Sequence, residues 1–208
     1  MLNPITSMLN GSVSKKLHRK ALKKNDKAPL FTLPNINGDC VQLKSLLSEG
    51  KSILVFYGLS WYRYSHFELL AWQEAFEHIS NLNTKVLAIY PEVPDSATIV
   101  KWKADQRTEV LYDTGNKVAN QFGLVTKVSP AKARKLSETF VIDIISLTAE
   151  QEMELTIPAT YVLDRDRTIL HVSFNTSGHN SDSVNEMLDY LEEAKKSAEE
   201  DTGTPETE

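Results

Sequence analysis

The stretch "SILVFYGLSWYRYS", residues 52–65, decides how the chain is read. Apolar residues run from Ile53 to Tyr57 without polar alternation, as in a strand covered on both faces. Beyond it, Leu69, Trp72, Phe76 and Ile79 recur at three- and four-residue spacing, which predicts an amphipathic helix from Tyr62 to about Asn81 with Ser60 near its N-cap. A second buried strand follows in "KVLAIYP" (85–91), and "PDSATIVKWKADQ" predicts another helix, opened by Pro94 and Asp95. The order is β, α, β, α.

Upstream, "NDKAPLFTLPNINGDCVQL" has two short apolar runs flanking Asn37-Gly38, a pair suited to a type I′ turn, and predicts an N-terminal hairpin. Downstream, "EVLYD" (109–113) predicts a short strand and "NKVANQFGL" a short helix stopped by Gly123. Residues 125–154 show no clear period and are expected to form an irregular, partly helical insert. "ATYVLDRDRTILHVSF" predicts two strands around an Asp-Arg-Asp turn, and a last helix is expected from Ser181 to about Lys196. Strands alternating with helices, then a hairpin and a helix, imply an α/β fold: a central mixed sheet flanked by helices on both faces. Pro158 stands at the entry to a core strand, where it cannot donate to a ladder, and this predicts a cis Ile157–Pro158 bond.

Composition narrows the class. The 208 residues are 41% hydrophobic, enough for one domain with a real core. The net charge of −5 is uneven: residues 1–25 carry six Lys/Arg and no acid, and 191–208 carry seven acids against two Lys. The expected layout is a basic N-terminal extension (1–24), one domain (25–196) and an acidic disordered tail (197–208). No run approaches the about 18 apolar residues of a membrane span. With Cys40 as the one cysteine, no intrachain disulfide forms and nothing asks for an oxidising compartment, so the cytoplasm is the expected location. The basic, Ser-containing N-terminus also has some features of a transit peptide, but it is richer in Lys than in Arg. "KKLHRKALKK" (15–24) predicts a helical basic face, yet the acidic balance and the lack of a Gly-rich phosphate loop argue against nucleic acid as the primary partner.

Four motifs in order, "NDKAPLFTLPNINGDCVQL", "ILVFYGLSWYRYS", "DTGNKVANQFGL" and "IPATYVLDRDRTI", give the chain its likeness. Over roughly residues 20–175 it resembles a thioredoxin-fold protein of the peroxiredoxin-like branch of the alkyl hydroperoxide reductase/thiol-specific antioxidant superfamily. That branch's active-site turn usually reads F-Y-R-G-G-W-C-P-Y-C. Alignment on Trp61 and Tyr64 puts Tyr62 and Ser65 at the two cysteines, Arg63 at the proline and Gly58 at the preceding arginine.

The chemistry implied by the resemblance needs a thiolate to attack the O–O bond and a second thiol to resolve the sulfenic acid. Tyr62 cannot do this: a phenol is ionised to only about one part in a thousand at pH 7, and oxygen has no sulfenate cycle. Ser65 and His66 are adjacent on a helix and point about 100° apart, so they make no nucleophile–base pair. His18, His66, His78, His171 and His179 show no ligand spacing, and no metal or other cofactor is expected. Cys40 follows the hairpin turn and shares a strand face with Gln42, as a modestly exposed structural cysteine would. Arg63, a cation at the positive end of a helix dipole, invites an anion, with Trp61, Tyr62, Tyr64 and Pro158 as pocket walls. The expected function is therefore a pseudoenzyme of this superfamily that binds a small acidic ligand or a protein partner, with a homodimer as the expected assembly and a redox or stress setting. The alternative is an enzyme of altered chemistry, using Cys40 as a redox thiol or Tyr62 and Arg63 on a bound acid.

Overall fold

The computed structural model describes residues 19–58, 63–92, 108–129, 131, 153–174 and 180–201. Strands β1 (Thr32–Pro34) and β2 (Cys40–Gln42) form an antiparallel hairpin, followed by helix α1 (Leu43–Glu49). Next come β3 (Lys51–Phe56), α2 (Arg63–Glu74), α3 (Phe76–Asn81), β4 (Thr84–Tyr90), β5 (Glu109–Tyr112) and α4 (Lys117–Gln121). The described chain closes with β6 (Val125–Val128), β7 (Met153–Thr156), β8 (Ala159–Leu163), β9 (Ile169–Phe174) and α5 (Asn180–Asp201).

The main sheet has the order β5-β4-β3-β8-β9. Its β3, β4 and β5 are parallel, while β8 runs antiparallel to both β3 and β9. Central strands β3 and β8 are buried almost throughout, as their unbroken apolar runs require. One face packs Leu54, Phe56, Leu87 and Tyr161 against α1 and α4 through Leu43, Leu47, Val118 and Phe122. The opposite face packs Ile53, Val55, Ala88 and Val162 against α2, α3 and α5 through Leu69, Trp72, Ile79, Val184, Met187 and Leu191. This is a thioredoxin-like fold with an N-terminal hairpin.

Several local expectations are corrected. The hairpin turn is not type I′, because Gly38 alone of the Asn37-Gly38 pair has positive φ (89°). Instead, Gly38 N–H donates to the Asn35 carbonyl (3.0 Å) and Asn35 N–H to that of Asp39 (2.9 Å), a three-residue loop ending in a left-handed glycine. The Asn35 side chain fixes this loop by accepting from the N–H groups of Asn37 and Asp39. The helix expected to reach Asn81 is divided at Ala75 into α2 and α3, although no proline or glycine marks the break. The stretch from 125 is not wholly irregular: β6 and β7 at its two ends pair antiparallel. The basic face does not stay helical to Lys24: the helical turn ends at Lys20, and the next residues pack down, with Leu22 N–H on the Phe122 carbonyl and Asn25 N–H on that of Ile169. The helix expected from Pro94 lies outside the described residues.

The Ile157–Pro158 bond is trans, not cis, since no cis peptide occurs among the described residues. Pro158 is buried in the two-residue link between β7 and β8, outside either ladder, so its missing N–H leaves no strand partner unmet. Its neighbour Ile157 donates to the Leu124 carbonyl (2.8 Å), which ties the link to the end of α4.

Helix α4 is held at both ends. Its first turn is capped by the buried Asp113 carboxylate, which accepts from Val118 N–H (3.0 Å) and Ala119 N–H (2.8 Å). At the other end, Gly123 N–H bonds the Asn120 carbonyl and Leu124 N–H that of Ala119, a Schellman ending that requires the φ of +72° at Gly123. A Cβ at Gly123 would also strike the backbone carbonyl of Lys20. Gly123→Ala is therefore expected to cost more than the about 1–2 kcal/mol of a left-handed residue alone. A urea unfolding midpoint unchanged from wild type would contradict this.

Candidate functional site

The parallel strands β3, β4 and β5 each end in tyrosine or are followed directly by one. Phe56 pairs with Ile89, and Tyr90 with Tyr112, so Tyr57, Tyr90 and Tyr112 stand side by side across three adjacent strand ends. Tyr57 N–H donates to the Ile89 carbonyl (2.9 Å), which holds it in line. The Tyr57 and Tyr90 rings stack with centroids 4.4 Å apart and planes 6° from parallel. All three tyrosines are buried on the face covered by α2.

Helix α2 starts at Arg63, close after the end of β3, with no acidic residue in its first turn. Its second turn sends the buried Glu68 toward this row, and Trp72, fully buried, lies one turn further along. Burial pushes the Tyr57 phenol well above its usual pKa, and the neighbouring Tyr90 and Glu68 push it further. Tyr90 is raised likewise, by burial and then by Glu68. Burial alone takes Tyr112 up to about 12. At neutral pH all three keep their protons.

The Tyr112 hydroxyl and Trp72 Nε1–H lack an acceptor among the described residues, while the Tyr57 hydroxyl lies against that of Tyr90. A buried donor left unmet costs about 1–3 kcal/mol.

The raised phenols also set the alkaline limit of the fold. Above pH about 10 the unfolded chain gives up phenol protons that the folded chain retains, so stability that is whole below that pH falls as pH rises. The expected slope is up to about 1.4 kcal/mol per pH unit for each fully buried tyrosine. Urea midpoints that stay flat from pH 9 to 12 would contradict the burial of Tyr57 and Tyr90.

Of the residues singled out in the sequence, Arg63, Tyr64 and Ser65 form the first turn of α2, with side chains outside the described set; Trp61 and Tyr62 lie outside it altogether. Arg63 is the first described residue of α2. Pro158 is buried before β8, whose first residue, Ala159, pairs with Phe56 beside Tyr57. Cys40 is exposed on β2, in the hairpin sheet rather than the main one. No cluster of metal-ligating side chains occurs among the described residues. Two histidines instead meet glutamates of α5: His78 with Glu192 (2.9 Å) and His171 with Glu186 (3.1 Å). Sequence reasoning passed over Tyr57, Tyr90, Tyr112 and Glu68. The signal was present in "LVFY", "LAIY" and "EVLY", three apolar runs that each end in tyrosine.

The pattern of the AhpC/TSA family matches residues 25–172, which takes in the hairpin, the tyrosine row, α2 and strands β3 to β8. The chain belongs to the AhpC/TSA family. Among solved structures, this AhpC/TSA chain is similar to the peroxidoxin BcpB from Mycobacterium tuberculosis, with a TM-score of 0.61 and 21% identity over 81% of this chain and 97% of that one. It is also similar to reduced 2-Cys peroxiredoxin from Plasmodium vivax, with a TM-score of 0.60 and 15% identity over 90% and 89% of the two chains. PrxQ from Xylella fastidiosa gives a TM-score of 0.61 at 12% identity over 81% and 97%. No curated protein matches the chain. At these identities the likeness shows the shared peroxiredoxin fold. No helix among the described residues is long and apolar enough to cross a membrane.

Proposed function

We propose that this AhpC/TSA member is a pseudoenzyme: it has given up thiol peroxidase chemistry and uses the pocket at the start of α2 to hold a small acidic ligand or a segment of a protein partner. The observation that carries the reading is the position of sulfur. The chain's one cysteine, Cys40, is exposed on the hairpin strand β2, whereas the helix start that would activate a thiolate carries Tyr62, Arg63 and Ser65. A helix of twelve residues offers free N–H groups and positive potential at that end, with Arg63 adding a full charge. An anion there would meet the unfavourable charge that Arg63 otherwise imposes. A cytoplasmic location and a homodimer form part of the same proposal, as does service in a redox or stress setting without peroxide turnover.

The test is a thermal-shift screen with acetate, butyrate, pentanoate, 4-oxopentanoate, benzoate and inorganic phosphate. At a hundred times its Kd a ligand adds about 2.7 kcal/mol to stability. The expected result is stabilisation by at least one carboxylate, lost in Arg63→Gln. If none of the acids shifts the transition, the small-acid reading fails and the protein partner is left.

A further inference from the structure

The first half of β4, at the end of the sheet away from the tyrosine row, borders a cavity of about 260 Å³. Its apolar walls come from both faces of the sheet: Leu46 and Leu87 from the face covered by α1, and Phe76, Ile79 and Val86 from the face covered by α3. The two sets meet because β5 begins only opposite Leu87. From Thr84 to Val86 the edge of β4 has no strand beside it on that side among the described residues, and the cavity passes round this bare edge.

Two charged side chains line the cavity, Lys85 and Glu109. Lys85 is already engaged, with its Nζ 2.5 Å from Glu49 Oε2. Glu109 is half-buried, and its Oε1 accepts from Asn35 Nδ2 at 2.9 Å. Asn35 is in turn fixed by the hairpin loop, whose Asn37 and Asp39 N–H groups both bond its Oδ1. The carboxylate is thus held in one orientation beside apolar walls, where a charge without a counter-charge is costly. An anion is disfavoured by Glu109 and finds Lys85 taken. A metal ion is disfavoured too, since no cluster of ligating side chains forms around Glu109 among the described residues. A cavity just below the about 300–1,000 Å³ of sites for drug-sized molecules suits a smaller one.

We infer that this cavity is a binding site for a small organic amine, whose ammonium group pairs with Glu109 and whose apolar body lies among Leu46, Phe76, Ile79 and Val86. The ligand binds without covalent change. The site shares no residue with the pocket at the start of α2, and it stands or falls independently of that pocket.

Three probes of similar shape test the charge: 2-phenylethylamine, 2-phenylethanol and 3-phenylpropanoate. Affinity is measured by calorimetric titration of the full chain, and the place of binding by the amide NMR signals of Ser80 and Thr84–Leu87. The amine is expected to bind about tenfold tighter than the alcohol, the scale of one hydrogen bond to a charged group, and the acid weakest of the three. Its shifts should centre on those amides. Glu109→Gln keeps an acceptor for Asn35 and removes the charge, so it should bring the amine to the level of the alcohol and leave the alcohol unchanged. Ser80→Trp, at an exposed helix position, fills the cavity and should abolish binding of amine and alcohol alike. An amine affinity unchanged in Glu109→Gln, or shifts scattered over the surface, would mean attraction to the acidic protein as a whole and would overturn the inference. Equal affinity for amine and alcohol would make the cavity a neutral apolar site and overturn it as well. Binding of the acid as tight as that of the amine, or no binding of any probe, would do the same.

Discussion

Trp72→Ala is expected to destabilise the fold by about 3–5 kcal/mol, a large share of the about 5–15 kcal/mol that holds a domain together. Trp72 is fully buried, and it belongs to the core cluster shared by α2, α5 and the β3–β4–β5 half of the sheet. Its removal leaves a cavity that rigid strands on one side and the packed α2–α5 pair on the other cannot close. The loss should appear as a lower urea midpoint with an unchanged slope. The variant should also release Tyr57 and Tyr90 toward ordinary phenol behaviour, because α2 is what keeps water from the strand ends. A stability within about 1 kcal/mol of wild type by this measure would mean that the helix is not anchored through Trp72.

The second large effect is a gain. In Tyr62→Cys/Arg63→Pro/Ser65→Cys on a Cys40→Ser background, the new thiol at position 62 sits just before the first residue of α2. The positive end of the helix and its free N–H groups favour the thiolate, so the thiol's pKa is expected well below the reference of about 8.5. Alkylation by iodoacetamide should then be about tenfold faster at pH 6.5 than for an unperturbed thiol, with a pH profile that bends below about 7.5. A profile that bends at or above about 8.5 would mean that the helix start no longer activates sulfur. The tyrosine row and Arg63 would then be the remnant of a remodelled pocket rather than of a site that lost only its nucleophile.

Much of this architecture is legible in the letters. Unbroken apolar runs at Ile53–Tyr57 and in "KVLAIYP" announce doubly covered strands, and the two strands around Asp164–Arg165–Asp166 form as expected. Gly123 marks the end of α4 because only a residue free to take positive φ can close that turn. Non-local choices are harder to see. β6 and β7 are four residues each and pair across a long separation, so neither carries a period long enough to read. The cis bond expected at Pro158 presupposes a ladder that Pro158 does not in fact enter. Asn37-Gly38 favours a two-residue turn, but the Asn35 side chain selects a three-residue loop by bonding both Asn37 and Asp39. At the site, the replacements Tyr62, Arg63 and Ser65 are plain from the four ordered motifs. The tyrosine row is not, because a tyrosine that ends an apolar run looks like one more core residue until register places it beside two others.

The most direct test of lost thiol chemistry is peroxide consumption by the purified protein, with hydrogen peroxide and an alkyl hydroperoxide as oxidants and dithiothreitol or thioredoxin as reductant, in wild type and Cys40→Ser alike. The predicted result is no turnover above a heat-inactivated control in either protein. Turnover that persists in Cys40→Ser would contradict the claim that sulfur at the start of α2 is what this AhpC/TSA member has given up, and turnover abolished by Cys40→Ser would place its redox chemistry on the hairpin instead.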